Sequence, residues 1–558
     1  MEFLDARRLT GPNVLWNKPG AILDIACTAE EADRLIPFCK DQLRRMLNAV
    51  GWDDESICHR RFLAGVSIAF SAPVDALYAA SAIGEWAWTC CEAKFHDAEV
   101  ADFNKKVAEI RKAIAEEVNP PLPALQAAAI EHGVPFLWDD DEVSIGHGAR
   151  SQVWPFRELP RPDDLDWSRY QGVPVGIVTG TNGKTTTVRI AKHLLQSAGR
   201  SVGLSCTDWV SVNDEIIDRD DWSGPGGARK VLRDNRVDTA ILETARGGLL
   251  RRGLGVETAE VALITNISED HLGDFASQSV EELLNVKWVI SQAAEKLGTL
   301  ILNADDRLLV GKAGEFGGNI VWFSLSDTNT VVDAHVKGGG AAFVYSCGNL
   351  VRLEGCDRKV ICAASDVSIT LNAVAEHNIA NALAAAALTE KLGLPLEAIS
   401  SGLKSISQDM NPGRSNLYEI DGFKVLVDFA HNPEAMRALF AMARAIPANR
   451  RILCFGQAGD RTDAQICALA RSAWSIGLDM AIVSELEHYR RGRREGEVFH
   501  ILKDEMMKAG ARDDQVLHFE EEHESFDAAL EWAKEGDLVV ILDLGRNSNI
   551  QEKLAARS

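Results

Sequence analysis

Residues Gly180-Thr181-Asn182-Gly183-Lys184-Thr185-Thr186 follow directly on the apolar run Val175-Gly176-Ile177-Val178 and open an amphipathic stretch from 184 to about 198. A strand passing through a Gly-rich turn into a helix is the most restrictive feature of this chain. Glycines let backbone N–H groups wrap an anion, and the helix N-terminus adds partial positive charge. Lys184 is spaced to reach terminal phosphates, and Thr185 carries the hydroxyl that binds Mg²⁺ in such loops. Val178 stands where the longer pattern has its first glycine, so this is a shortened phosphate loop.

Such a loop sits at the carboxyl edge of an open, mostly parallel sheet. The apolar runs 239–242, 261–264 and 300–302 alternate with helical stretches, as α/β proteins with helices on both sheet faces require. Glu243 ends the first of these strands, where a carboxylate beside a phosphate loop can serve as a second Mg²⁺ ligand. Arg246, Arg251 and Arg252 follow within ten residues, a spacing suited to holding a substrate carboxylate. The next strand ends in a segment containing Asn266, Asp270 and His271 at the same rim, and Lys287 is a lone cation on an apolar helix face. A lysine so placed needs a partner or a modification.

The 558 residues allow three or four domains. The Pro-rich stretch 154–174 breaks periodicity as a linker does. Before it, helical spacing over 30–50 and 101–118 indicates an α+β domain. A β-rich stretch occupies about 321–370, and a second α/β unit begins near Gly413, with strands at 424–427, 451–455, 480–483 and 538–542. The expected division is an N-terminal α+β domain at 1–160, a central ATP-binding domain at 161–410 and a Rossmann-like C-terminal α/β domain at 411–558. A net charge of −23 excludes a general nucleic-acid binder. The apolar segment 66–91 is interrupted by Pro73, Asp75 and Glu85, so it is no membrane span. Eleven cysteines without metal-type spacing, and a first segment unlike a signal peptide, give the expectation of a cytoplasmic protein.

Taken together, the loop 180–186, Glu243, the segment 266–272 and Lys287 resemble the Mur ligase superfamily of ATP-dependent amide ligases. His377-Asn378-Ile379-Ala380-Asn381, Asn411-Pro412-Gly413-Arg414 and Asp428-Phe429-Ala430-His431-Asn432-Pro433 look like its adenine-side and C-terminal motifs, although Glu376 stands where a glycine is commoner. Within the superfamily, segments 243–253, 269–275, 459–461 and 491–497 resemble the ligase module of cyanophycin synthetase, and 8–15 and 143–150 resemble its N-terminal domain. That enzyme has an ATP-grasp domain between these modules. Here only about 30 residues separate Arg150 from Gly180, so none fits and backbone extension is expected to be absent.

The resemblance implies a reaction and a set of roles. A substrate carboxylate attacks the γ-phosphate of ATP, and an amino acid amine displaces phosphate from the acyl phosphate. Lys184 and the loop backbone would hold phosphates; Thr185 and Glu243 would bind Mg²⁺, with His271 at a second ion. Lys287 matches a lysine that is carbamylated in part of the superfamily. Asn381, Arg414 and Asp428 would contact nucleotide, and Arg246, Arg251, His431 and Asn432 substrate. The expected partners are an aspartate-containing small molecule or peptide and an amino acid, with the oligomeric state open. Two other readings stand beside this one: a folylpolyglutamate-synthase-like ligase, and a catalytically silent nucleotide-binding scaffold that partners another ligase.

Overall fold

The structure is a computed structural model and describes residues 1–96, 98–99, 102–269, 279–295, 298–459, 461–486, 489–544, 550–555 and 557. The chain begins with a four-stranded antiparallel sheet in the order Glu2–Leu9, Gly20–Ala26, Gly65–Ser71, Ile57–Phe62. Helices Ala29–Val50, Leu77–Phe95 and Phe103–Glu117 pack on one of its faces. The first of these starts where Thr28 and Glu31 form a reciprocal capping box, and it ends at Gly51 in the left-handed conformation. Its buried residues Ala32, Leu35, Ile36, Cys39, Leu43, Met46 and Leu47 repeat at helical spacing. The apolar segment 66–91 becomes the strand Gly65–Ser71 and most of helix Leu77–Phe95, both buried in this core. Among the described residues no helix is long and apolar enough to cross a membrane.

A three-stranded antiparallel sheet (Phe136–Trp138, Glu142–Ile145, Gln152–Pro155) leads to the central sheet. Between Gln152–Pro155 and the first central strand lie only two short 3-10 turns. The central sheet has eleven strands. Seven run parallel, in the order Val202–Ser205, Thr239–Glu243, Val175–Thr179, Val261–Ile264, Thr299–Asn303, Asn319–Ser324, Ala341–Ser346. Antiparallel strands extend both ends: Val210–Val212 and Glu215–Asp218 at one, Asn349–Glu354 and Asp357–Ala363 at the other. The β-rich stretch seen in the sequence forms the last four strands at one end of this sheet.

Val175–Thr179 is buried throughout because it is flanked on both edges, by Thr239–Glu243 and Val261–Ile264. The chain places its second and third parallel strands on one side of it and its fourth on the other. That switch of direction opens a crevice at the carboxyl ends. Helix Lys184–Ser197 packs on one sheet face beside helix Glu376–Lys391, whose alanines 384–387 are fully buried. Small side chains let this second helix lie close against both neighbours.

The C-terminal sheet has six strands in the order Asn416–Ile420, Phe423–Asp428, Leu538–Leu542, Arg451–Phe455, Met480–Ser484, Val516–Phe519. Only the first pairs antiparallel, through a hairpin; the other five are parallel. The two outermost strands are the ones that sequence periodicity does not reveal.

Candidate active site

The carboxyl ends of Val175–Thr179 and Phe423–Asp428 open into one cleft of about 470 Å³ between the central and C-terminal sheets. On the central side the whole of Gly180 to Thr186 lines it. The loop is pinned from behind by the segment after strand Val261–Ile264. Thr181 and Asn182 N–H groups donate to the Asn266 carbonyl and Oδ1, each at 2.9 Å. Thr265 Oγ1 donates to the Asn182 carbonyl at 2.6 Å, and Ser268 N donates to Thr181 Oγ1 at 3.0 Å. Two glycines are required by contact as well as conformation. A Cβ on Gly180 (φ +147°) would lie 1.9 Å from Thr265 Oγ1, and one on Gly183 (φ +83°) 2.2 Å from Asn381 Oδ1.

Lys184 Nζ donates back to the Thr181 carbonyl at 2.9 Å, within its own loop. Thr185 Oγ1 lies 3.5 Å from Thr207 Oγ1, which in turn donates to Glu243 Oε1 at 2.7 Å. Glu243 is 1% exposed and does not line the cleft: Thr207, which sequence reasoning missed, stands between it and Thr185. Lys287, 3% exposed, donates to Thr181 Oγ1 at 3.1 Å from helix Val280–Trp288, so the lone cation belongs to the loop's wall. Arg246 lines the cleft at the start of helix Arg246–Arg251, whereas Arg251 at its end is exposed and does not. Asp270 and His271 lie outside the described residues.

Asn381 fills the space beside Gly183 and is held by Asn378, to whose Oδ1 it donates at 3.1 Å. Across the cleft, Arg414 stacks on Phe429 with 4.5 Å from its guanidinium carbon to the ring centre and lies 3.8 Å from Asp208. Asp428 accepts a hydrogen bond of 2.8 Å from Ser415 Oγ, which is also 3.0 Å from His377 Nε2. Burial pushes the His377 imidazole below its ordinary range, against the opposing pull of Asp428 and Glu376. Asn432 caps helix Pro433–Ala445 through Oδ1 and donates through Nδ2 to Asn182 Oδ1 at 2.7 Å, tying the C-terminal sheet to the phosphate loop. His431 lines the cleft with Nδ1 3.1 Å from the Phe429 carbonyl.

A buried network beneath the cleft also escaped the sequence reading. Arg189, on the buried face of helix Lys184–Ser197, donates to Asn411 Oδ1 at 3.1 Å, pairs with Asp208 and stacks on Trp209 at 4.0 Å. Asn411 donates to Thr186 Oγ1 at 3.1 Å, so the phosphate-loop helix and the junction to the C-terminal sheet share one set of partners. The available signal was a charged residue at a position where helical spacing calls for an apolar one.

A cleft with a phosphate loop on one wall and Arg, Asp, His and Asn side chains on the other can bind a polyphosphate nucleotide and bring a carboxylate to its terminal phosphate. The chain also resembles known proteins. Residues 178–389 match the Mur ligase middle domain, and residues 413–542 match the Mur ligase glutamate ligase domain. Cyanophycin synthetase of Nostoc sp. is 35% identical over 412 residues, which are 72% of this chain and 45% of that protein. The chain thus spans about half the length of the curated cyanophycin synthetases it matches. The UDP-N-acetylmuramoyl-L-alanyl-D-glutamate–2,6-diaminopimelate ligase of Bacillus velezensis is 26% identical over 383 residues, 66% of this chain and 73% of that one. Among solved structures, E. coli FolC in complex with ADP shares the fold with a TM-score of 0.52 at 20% identity, over 69% of this chain and 90% of FolC.

Proposed function

The chain belongs to the Mur ligase family, and from that premise we propose that it is an ATP-dependent carboxylate–amine ligase acting on an aspartate-containing small molecule or short peptide. The observation that carries this reading is the single cleft into which Lys184, Arg246, Lys287, Asn381, Arg414 and Asp428 all project from two sheets. Its units would be 1–160, 161–410 and 411–558, with ATP held between the second and third.

Carboxylates do not react with amines at neutral pH, because the leaving group would be an oxide. Transfer of the γ-phosphoryl group to the acceptor carboxylate makes phosphate the leaving group. The amine's lone pair then forms the C–N bond, the C–O bond to phosphate breaks and the amine loses a proton. Catalysis of the first step is positioning and charge neutralisation. The backbone N–H groups of 180–186 and Lys184 would hold the β- and γ-phosphates, Lys184 exchanging its bond to the Thr181 carbonyl for phosphate oxygen. Arg246 would orient the acceptor carboxylate. Arg414 would leave Asp208 for phosphate, and Asp428, steadied by Ser415 and His377, would accept hydrogen bonds from the ribose beside Asn381. His431 and Asn432 would face the incoming amine.

The donor set fits Mg²⁺ at the Thr185 end, since hard oxygens suit that ion. Both Glu243 oxygens accept hydrogen bonds from Thr207, so Glu243 would help hold the ion only by exchanging those bonds. Bound there, the ion would neutralise phosphate charge. The resemblance of segments 243–253, 269–275, 459–461 and 491–497 to the cyanophycin synthetase ligase module implies an aspartyl acceptor and a cationic amino acid.

The test is phosphate release from Mg-ATP with each of the twenty amino acids paired with aspartate, β-aspartyl dipeptides or short polyaspartate, with mass spectrometry of products. Turnover that needs both an acceptor and an amine, yields their amide, and is lost in Lys184→Ala is the expected result. Nucleotide binding without an amide from any pair would overturn this substrate assignment.

A further inference from the structure

The N-terminal sheet holds no residue of the cleft, yet its second face is built with unusual care. One face is apolar beneath its helices (Leu23, Ile25, Ile68, Phe70). The strand alternation puts Arg7, Asp24, Arg60 and Ser67 on the other, and this polar face is covered by Leu249 and Leu250 of helix Arg246–Arg251. Arg7, Asp24 and Ser67 are 8%, 3% and 2% exposed.

We propose that this face positions the acceptor side of the cleft, with Arg7 as the positioning residue. The proposal rests on the reading above that Arg246 serves the acceptor. Arg7 uses its guanidinium fork in three directions, one of them from Nη1 to Asp5 Oδ2 at 3.3 Å. Nη1 pairs with Asp24 Oδ2 at 2.6 Å, and Nε donates to the Leu250 carbonyl at 3.1 Å, at the end of the Arg246–Arg251 helix. Ser67 Oγ donates to the other Asp24 oxygen at 2.6 Å, so the carboxylate cannot rotate away. A buried ion pair contributes little net stability compared with apolar side chains of similar volume. What this one supplies is direction: it aims a charged donor at the end of a six-residue helix that is too short to hold its own shape.

Two further contacts fix the same region. Thr10 N donates to the Arg252 carbonyl at 2.8 Å and Leu254 N to the Pro12 carbonyl at 2.7 Å, a two-rung ladder between the segments. The backbones touch there, since a Cβ on Gly11 would lie 2.2 Å from the Leu254 oxygen. The hairpin beyond strand Ile57–Phe62 reaches a second helix that lines the cleft. Leu63 N donates to Glu282 Oε1 at 2.9 Å, and Glu282 belongs to the capping box that starts Val280–Trp288, the helix of Lys287. Gln292 Nε2 donates to the Asn13 carbonyl at 3.2 Å. One rigid sheet thus grips both helices that carry Arg246 and Lys287 into the cleft.

The test uses the full chain with Arg7→Lys, which keeps the charge beside Asp24 but lacks the fork needed to reach Leu250 as well, and Gly11→Ala, which drives the ladder apart. Hydrogen–deuterium exchange without substrate should show amides 249–254 exchanging about tenfold faster in both variants, through the loss of one charge-assisted hydrogen bond in Arg7→Lys and of the backbone ladder in Gly11→Ala. Exchange at 180–186 should stay within about twofold. With Mg-ATP, arginine and a β-aspartyl dipeptide, KM for the dipeptide should rise about tenfold, while kcat and KM for ATP hold. Unchanged exchange at 249–254 overturns the proposal, and so does a parallel change in kcat, both KM values and melting temperature, the mark of a merely structural contact. If the wild-type chain does not turn over these substrates, the acceptor reading fails by itself and the exchange result still decides whether Arg7 holds residues 249–254.

Discussion

The two walls of the cleft are built on opposite plans. The phosphate-loop wall is held largely through its own main chain: Thr181 and Asn182 donate N–H groups to Asn266, the Asn182 carbonyl accepts from Thr265 Oγ1, and Gly180 and Gly183 sit where no side chain fits. The C-terminal wall is held by side chains. Arg414 rests on Phe429 near Asp208, and Asp428 is steadied through Ser415 and His377. A backbone-defined wall has one shape, so its main chain is preorganised for an anion and only Lys184 must exchange a bond when one binds. A wall of exchangeable side-chain bonds can trade each for a ligand contact, which suits a surface that closes over a nucleotide.

That contrast can be broken from either side. The largest effect should come from Lys184→Ala, which removes charge at the transferring phosphate: turnover should fall by about 10²- to 10³-fold in a phosphate-release assay, with the melting temperature unchanged. Next comes Gly183→Ala, which combines a left-handed backbone with a Cβ contact on Asn381. It should lower stability by more than about 1 kcal/mol and abolish ADP binding in calorimetry. On the other wall, Ser415→Ala removes a bond to Asp428 worth about 1 kcal/mol net, so KM for ATP should rise about fivefold. Folding should be spared, and an equal loss of melting temperature would show that this wall is as fixed as the first.

A last effect concerns pH and lies away from both walls. Burial pushes His147 down to about 4 from an ordinary value of 6.5, so the folded chain resists a proton that the unfolded chain accepts. Stability should be flat in this respect above about pH 6.5 and fall as pH drops from there toward 4. His147→Gln should flatten that decline in urea titrations between pH 5 and 7.

Much of the site was legible because its chemistry is local. A strand, a Gly-rich turn and Lys184-Thr185 state their purpose within a dozen residues, and Glu243 stands where its strand Thr239–Glu243 ends. What stayed hidden depends on tertiary distance. Thr207 matters only because strand Val202–Ser205 ends beside Glu243, a pairing set by sheet order. Arg251 shares its short run with Arg246, but a six-residue helix turns one toward the cleft and the other to solvent. Ser415 carries no motif; its role follows from a left-handed backbone (φ +57°) that aims it at Asp428. The polar face of the N-terminal sheet reads in sequence as ordinary alternation, and only docking on Leu249 and Leu250 shows why charges are buried there.

The strand that founds the phosphate loop is also the first of the central parallel strands to leave a ribosome. Its two neighbours, Thr239–Glu243 and Val261–Ile264, begin about 60 and 80 residues after Thr179. At roughly 5–20 residues per second, Val175–Thr179 waits several seconds with both hydrogen-bonding edges open and five apolar-rich residues unprotected. The nascent chain is most prone to mispairing in that interval. Early docking of helix Lys184–Ser197, whose sequence is complete only 18 residues after Thr179, would cover one face of the strand long before either edge is sealed.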